Sequence, residues 1–468
     1  MPIHIYNSLT NKKEEFVPLN GTTVNMYTCG VTVYDKCHIG HARSLYVFDV
    51  IKRFLEYRGF KVNFVRNITD IDDKIINKAK ELNKTSEQVA KENIEAYYED
   101  LKRLHVNIAD IEPRATDNIA DMVAHIQKLI EQGYAYEVNG DVYFNVRKLP
   151  QYGRLSGQSI EKMLEGVRVE PISAKKDPLD FALWKKSKDG EPFWPSPWGP
   201  GRPGWHIECS VMSLKHLKCQ TLDIHAGGRD LIFPHHENEI AQVEAISSKP
   251  FAKYWIHHGL LTINGQKMAK SLGNFITIEN AVKKYPVDDL KLFFLSSHYA
   301  SPIDFSDDKM LEAHKALERF DILFWKAAEI VKGQQSAVPV MEEFIERGQH
   351  HFLEAMDDDF NTAKALGCLF DFINDTNKFI DQNKNHNRYV AVVQSAVDTI
   401  ESLASDIFGL FANEMAVELS AEEQHLLEER AAARAKKDFK RSDELRDSLK
   451  QKGIVVEDAK TGQTWRRV

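Results

Sequence analysis

The apolar positions near the start of the chain change period from one segment to the next. Val24 to Cys29 is a short apolar run closed by Gly30, which predicts a β-strand. From Ala42 to Tyr57 the apolar residues Leu45, Phe48, Ile51 and Leu55 recur every three or four positions, which predicts a helix, with Gly59 as its stop. Val62 to Val65 predicts a second strand. Strand, Gly-bearing loop, helix and strand open a doubly wound α/β domain, whose ligands sit at the carboxyl ends of the strands. Ser86 to Gly133 reads as helical and Tyr134 to Leu155 as short strands, so an insertion interrupts the β-α repeat. Pro192 to Pro203 is expected to be a rigid loop, because Pro lacks an N–H and fixes φ. The parallel-sheet pattern resumes at Thr221 to Ala226, followed by a Gly227-Gly228 turn and a helix from near Pro234. A strand near Gly259 to Ile263, an Asn264-Gly265 turn and a lysine-bearing loop come next.

Beyond Lys309 the period is helical. Amphipathic helices are expected at about Met310 to Val331, Glu342 to Leu353, Thr362 to Phe379 and Tyr389 to Ile407, forming a bundle. Ser420-Ala421-Glu422-Glu423 is a capping box for another helix, Gly453 stops a later one, and Ile454 to Glu457 with Gln463 to Arg467 reads as a hairpin. The expected fold is therefore a Rossmann-like doubly wound parallel-sheet α/β domain over residues 1–308, with an insertion at about 86–200 and a lysine-loop region at about 264–308. An α-helical bundle follows at 309–415, then a small α+β domain at 416–468. A length of 468 residues fits about three domains.

Composition narrows the function classes. The chain carries 61 Lys or Arg against 69 Asp or Glu, a net charge of −8, which excludes a polycation that coats nucleic acid. With 43% hydrophobic and 28% charged residues it is not a disordered chain. No apolar run reaches the roughly 18 residues of a membrane span, and Met1 to Tyr6 has no basic segment leading into an apolar one. A cytoplasmic protein without membrane contact is expected. Five cysteines, with no C-x-x-C pair, argue against a disulfide framework.

Two short motifs carry chemistry. His38-Ile39-Gly40-His41 opens the Ala42 helix directly after a strand, where the helix dipole, amide donors and imidazole donors can meet one anion and Gly40 lets backbone approach it closely. Lys267-Met268-Ala269-Lys270-Ser271 places two lysines three apart on a loop, able to neutralise a polyphosphate as it departs. A lysine loop alone is ordinary solvated surface. Beside the histidine turn it becomes specific.

The pair resembles the two signatures of class I aminoacyl-tRNA synthetases, with Ala269 where that family commonly has Ser. More narrowly, Gly201-Arg202-Pro203-Gly204-Trp205-His206-Ile207-Glu208-Cys209-Ser210 and Phe233-Pro234-His235-His236-Glu237-Asn238-Glu239 resemble the cysteinyl-tRNA synthetases. The resemblance runs from the first strand to Trp465-Arg466-Arg467. A small departure is Asp288-Asp289-Leu290-Lys291, where many members read Asp-Ala-Leu-Arg.

A third constellation can be read from the residues themselves. His235 and Glu239 stand one helical turn apart and can converge on one ion, Cys29 ends the first strand, and Cys209 follows Trp205. Two thiolates, an imidazole and a carboxylate suit tetrahedral Zn²⁺, although spacing alone leaves ordinary buried cysteines as an alternative. The resemblance implies that these four hold one Zn²⁺ per chain. His236, about 100° round the helix, is expected behind the ligands or on the phosphate side.

Charging cysteine requires rejecting serine, and a steric pocket supplies only about 1 to 3 kcal/mol of discrimination. A thiophilic ion makes that choice by bond chemistry, so no editing domain is expected. The resemblance also implies that Gly30, Thr69, Trp205 and His225 line the cysteine pocket. It implies further that Gly227, Gly228 and Asp230 hold the adenosine, and that His38, Gly40, His41, Lys267 and Lys270 meet the phosphates of ATP with its Mg²⁺. Cys37 and Cys219 are expected to pack, and Cys368 to lie on a helical core face.

The tail supplies the nucleic-acid signal. From Arg430 onward there are twelve Lys or Arg against six Asp or Glu, which leaves the remainder of the chain at −14. An alternating-charge helix is ordinarily a solvated face, but here it precedes a hairpin carrying Trp465, Arg466 and Arg467, residues suited to splayed single-stranded bases. The expectation is a monomeric ligase that joins L-cysteine to tRNA-Cys through a cysteinyl-adenylate, with the tail reading the anticodon. Competing readings are a ligase that passes cysteine to an amino sugar, which would not need such a tail, and a catalytically silent RNA-binding or zinc-storage relative.

Overall fold

The computed structural model describes residues 2–166, 175–269, 272–332, 339–412, 421–452, 454–459 and 462–467. The chain divides into two compact units, Met1–Leu410 and Phe411–Val468.

The first unit is built on a four-stranded parallel sheet. Its spatial order is Ala252–His258, Leu222–Gly228, Thr23–Thr28, Lys61–Arg66. From the Thr23–Thr28 strand the chain crosses through the Ile39–Tyr57 helix to one neighbour, and much later returns on the other side through the Leu222–Gly228 strand. The order therefore reverses beside Thr23–Thr28, and the crevice at its carboxyl end is the switch point where such sheets bind ligands. Parallel strands buried on both faces need continuous apolar runs, and Val24, Met26, Val62, Phe64, Leu222 and Ile224 are all buried.

The expected opening strand, helix and second strand are present as Thr23–Thr28, Ile39–Tyr57 and Lys61–Arg66. Three expectations are corrected. Gly201–Pro203, expected as loop, is a strand pairing antiparallel with Phe181–Lys186 at the edge of a four-stranded sheet formed by the insertion. Pro203 is tolerated because an edge strand has an unpaired side. Gly227 and Gly228, expected as a turn, are the last residues of the Leu222–Gly228 strand. The strand expected near Gly259 starts at Leu261.

The Asn264-Gly265 turn is a two-residue hairpin joining Leu261–Ile263 to Gln266–Lys267, with φ of 49° and 74°. Both positive values are what a type I′ turn requires. The Leu261–Ile263 strand also pairs in parallel with Ile303–Phe305.

Helices Asp307–Val331, Glu343–Asp357, Thr362–Gln382 and Tyr389–Ser402 form the bundle, and all belong to the first unit. The Tyr46 hydroxyl donates to the Phe408 carbonyl (2.6 Å), and the buried Lys291 ammonium donates to that of Gly409 (2.5 Å). Cys368 is only partly buried, beside the core face rather than on it.

In the second unit, helices Ala421–Ala435 and Phe439–Gln451 pack on an antiparallel hairpin of Ile454–Ala459 and Gly462–Arg467. Leu427, Leu449, Ile454 and Val456 form its core. Ser420 and Gly453, the expected cap and stop, lie outside the described residues. Among the described residues no helix is long and apolar enough to cross a membrane.

Candidate active site and metal centre

Four elements deliver the cluster at the switch point. Cys29 follows the Thr23–Thr28 strand, its N–H donating to the Ala226 carbonyl (3.2 Å) across the sheet. Cys209 projects from the Trp205–Leu217 helix, whose apolar residues Ile207, Val211 and Met212 are buried. His235 and Glu239 flank the start of the Glu237–Ser247 helix, and His225 comes from the middle of the Leu222–Gly228 strand.

The donors converge. Cys29 Sγ lies 3.7 Å from Cys209 Sγ and 3.5 Å from Glu239 Oε1, and Cys209 Sγ lies 3.6 Å from His235 Nε2. His235 Nε2 is 2.9 Å from Glu239 Oε1. Among the described residues two sets of four donors fall within 4.8 Å of one another: Cys29, Cys209, His235, Glu239 and Cys29, His225, His236, Glu239.

The two sets share Cys29 and Glu239 and differ in whether Cys209 and His235 or His225 and His236 complete them. Glu239 Oε2 is occupied by His225 Nε2 (2.7 Å), which leaves Oε1 to face Cys29 and His235. His235 Nδ1 is held by His206 Nδ1 (2.8 Å), so its Nε2 points inward, the outer-shell arrangement typical of ligating histidines. Trp205 stacks on His235 at 4.0 Å. His236 borders the cluster, its Nε2 3.3 Å from Cys29 Sγ and its Nδ1 2.8 Å from His257 Nε2. Two thiols, an imidazole and a carboxylate in a buried pocket fit a soft divalent cation. Burial alone raises the Cys209 thiol, but its bond to Cys29 and the neighbouring His235 bring it down to about 6. Burial likewise opposes charge on Glu239, yet His225 and His235 hold it well below the usual carboxylate range.

Beside the cluster, Gly30 N–H donates to Asn67 Oδ1 (2.8 Å), and a Cβ on Gly30 would stand 1.6 Å from the Asn67 carbonyl oxygen. Only glycine fits there. Thr69, three residues past its strand, donates through Oγ1 to Glu208 Oε2 (2.7 Å), and both are buried. A Cβ on Gly227 would meet the His236 ring at 2.8 Å, and one on Gly228 would meet Asp230 Oδ1 at 2.5 Å.

The histidine turn caps the Ile39–Tyr57 helix. His38 Nδ1 accepts from the N–H groups of Gly40 (3.1 Å) and His41 (3.3 Å), and His41 Nδ1 accepts from that of His38 (3.2 Å). Burial pushes His38 down to about 4 and His41 to about 3, so both rings are neutral near pH 7. Lys267 is exposed on the hairpin, and a Cβ on Gly40 would lie 3.6 Å from Met268 Cε, so the lysine loop lies against the histidine turn. Asn274 braces that loop, accepting from Ala269 N–H (2.8 Å) and donating to the Lys267 carbonyl (3.2 Å). Lys270 lies outside the described residues. Trp465, Arg466 and Arg467 lie on the last strand of the second unit.

Sequence reasoning passed over Asn67, His206 and His257. The His206–Cys209 spacing of three on one helix, and the position of Asn67 at the carboxyl end of a parallel strand, were the available signals.

Comparison with known proteins agrees with this geometry. Residues 15–315 match the family described as tRNA synthetases class I (C) catalytic domain, 351–412 the DALR domain, and 416–466 the cysteinyl-tRNA ligase anticodon binding domain. The chain is 49% identical to a cysteine-tRNA ligase of Sulfurihydrogenibium sp. (strain YO3AOP1), covering 100% of both. It is 47% identical to that of Aquifex aeolicus (strain VF5), over 100% of this chain and 99% of the other. In fold it is similar to Mycobacterium tuberculosis methionyl-tRNA synthetase in complex with methionyl-adenylate, with a TM-score of 0.68, 15% identity, and coverage of 84% of this chain and 93% of the other. A full-length match at this identity, on a parallel-sheet fold whose switch point gathers the histidine turn and the thiol cluster, places the chain in the cysteine-tRNA ligase family of class I aminoacyl-tRNA synthetases.

Proposed function

We propose that this ligase selects L-cysteine through a Zn²⁺ held by Cys29, Cys209, His235 and Glu239, activates it with ATP, and transfers it to tRNA-Cys. The observation that carries the reading is the convergence of two thiols, an imidazole and a carboxylate at the switch point. When bound, Zn²⁺ supplies a soft Lewis acid that prefers a substrate thiolate to a serine hydroxyl.

The chain's own residues do the rest. Gly30 and Thr69 shape the amino-acid pocket, Trp205 closes its outer side over His235, and His225 orients Glu239. The cysteine carboxylate attacks the α-phosphate of ATP and pyrophosphate leaves; the terminal ribose, by class I habit through its 2′-hydroxyl, then attacks the carbonyl of the cysteinyl-adenylate and AMP leaves. His38 and His41 donate from Nε2 to the phosphates, and Lys267 with Lys270 offsets charge on the departing pyrophosphate. Gly227, Gly228 and Asp230 receive the adenosine. Residues 1–308 act as the catalytic domain, 309–415 as the helical bundle, and 416–468 as the anticodon reader through Trp465, Arg466 and Arg467. The enzyme works as a cytoplasmic monomer.

The deciding experiment compares the native enzyme with Cys209→Ser for bound metal, cysteine-dependent ATP–pyrophosphate exchange and charging of total tRNA. Metal is expected to be lost and exchange to fall about a hundredfold, equivalent to losing about 3 kcal/mol. Unchanged cysteine binding with complete loss of zinc would overturn the reading.

A further inference from the structure

Arg43 is fully buried, two residues after His41 on the Ile39–Tyr57 helix, and among the described residues it pairs with no carboxylate. Its guanidinium instead donates to four backbone carbonyls. One terminal nitrogen reaches Gly259 (2.8 Å) and Leu260 (3.0 Å), and the other reaches Tyr299 (3.2 Å) and Ser301 (2.6 Å).

Those carbonyls belong to two segments that lead into one small sheet. Gly259-Leu260 runs directly into the Leu261–Ile263 strand and the hairpin carrying Lys267, and Tyr299 to Ser301 runs into the Ile303–Phe305 strand paired with it. The segments lie in backbone contact, Gly259 N–H donating to the Tyr299 carbonyl (2.8 Å) and Ile303 N–H to that of Leu260 (3.0 Å). A Cβ on Gly259 would come within 2.2 Å of the Ser301 oxygen. The far end of the lysine loop is fastened to the same turn, with Ile39 N–H donating to the Ile276 carbonyl (3.1 Å) and Ile278 N–H to that of Cys37 (3.0 Å).

Burying a cation without a counter-charge is costly, and burial draws Arg43 down to about 10, still charged at neutral pH. A fold that needed only to fill this space would use an apolar side chain. A planar fork of five donors is the one side chain able to hold four carbonyls on two segments at once, and a lysine, with three donors on one point, is not.

We propose that Arg43 is a positioning residue that anchors the base of the Lys267 hairpin to the helix carrying the His38–His41 turn, setting where the lysine-bearing loop stands over the phosphates. This rests on the reading of Lys267 as a phosphate-side group. The test is a double-mutant cycle in ATP–pyrophosphate exchange with Arg43→Lys, Lys267→Ala and the pair. Arg43→Lys is expected to lower kcat about tenfold to a hundredfold, the scale of an ångström of misplacement, with KM for cysteine unchanged. In the Lys267→Ala background it should cost markedly less than in the native enzyme, the remainder acting through Lys270 on the same loop. Hydrogen exchange should quicken across 259–267 and not across 222–228. If Lys267→Ala is harmless, the reading of the lysine loop fails. If Lys267→Ala is costly but the two losses multiply, the Arg43 proposal fails alone. Failure of both Arg43→Lys and Arg43→Gln to fold would also overturn it, by making Arg43 a residue of the fold and not of the loop's position.

Discussion

The rings of His38 and His41 stack at 3.7 Å, and each accepts through Nδ1 from the backbone N–H of the other. A nitrogen that accepts a hydrogen bond carries no proton, so both rings are Nε2–H tautomers whose remaining donors are free for a ligand. The turn therefore offers neutral, preorganised donors, and the positive charge at this site comes from the helix end and the lysines.

His38→Asn separates the cap from the chemistry. Asn keeps a side-chain acceptor at the N-cap, so the thermal midpoint should hold within a few degrees, the effect of about 0.5 kcal/mol or less. The outward Nε2–H is lost, and ATP–pyrophosphate exchange should fall about 10²- to 10³-fold. An unchanged exchange rate would exclude a phosphate role for His38.

Acid should destabilise the first unit in a defined window. His38, His41 and His258 are held neutral by burial at about 4, 3 and 4, whereas a free imidazole titrates near 6.5. As pH falls through about 6.5 the unfolded chain takes up protons that the folded one refuses. The stability carried by the neutral rings is thus complete above about 6.5 and is lost progressively down to about 4 for His38 and His258 and about 3 for His41. For the buried His258 the slope is about 1.4 kcal/mol per pH unit in that interval. Calorimetric midpoints measured from pH 7 to 4 check this, and His258→Gln should flatten the fall.

Thr69 and Glu208 form a buried pair whose proton count can be read by substitution. Burial raises the Glu208 carboxyl well above its usual range, and Cys209, Asp70 and Asp72 add to the rise while Thr69 opposes it. An amide is the neutral isostere of the protonated carboxyl, so substitution reads whether the proton is held. Glu208→Gln should shift stability by less than about 1 kcal/mol, whereas Thr69→Val, which removes the donor to Oε2, should cost about 1 to 3 kcal/mol. Equal destabilisation by Glu208→Gln and Glu208→Ala would show that a charged carboxylate is needed.

How much of this was legible in the sequence depended on how local each feature is. His38 to His41 and Lys267 to Ser271 carry their chemistry within four or five residues, and the opening strand, helix and strand carry their period within fifty. The Ala252–His258 strand did not read as one because His257 and His258 interrupt its apolar run. In the fold both are buried with partners, His257 Nδ1 facing Ser8 Oγ (2.8 Å) and His258 Nδ1 facing the Gly259 carbonyl (2.9 Å). Gly201–Pro203 was hidden by its proline, which only an edge position excuses. Cys29, Cys209, His235 and Glu239 are spread over 210 residues, and their spacing alone leaves ordinary buried cysteines as an alternative; only the resemblance to the cysteinyl-tRNA synthetases singles out the four. Arg43 gave no signal, because its partners are backbone carbonyls, which no side-chain pattern records.

The tail hairpin can be tested apart from the adenylation step. The register pairs Trp465 with Val456 and Arg466 with Val455, and neighbouring positions along a strand alternate between faces. A contact from Arg466 to a splayed base or phosphate is worth about 1 to 3 kcal/mol. Arg466→Ala should therefore lower kcat/KM for tRNA in the charging reaction about tenfold or more, with ATP–pyrophosphate exchange and thermal stability unchanged. Trp465→Ala should likewise lower kcat/KM for tRNA, with ATP–pyrophosphate exchange unchanged, the loss of a stacking surface for a base being worth about 1 to 3 kcal/mol. Normal charging by Arg466→Ala at physiological salt would remove this residue from the tRNA interface.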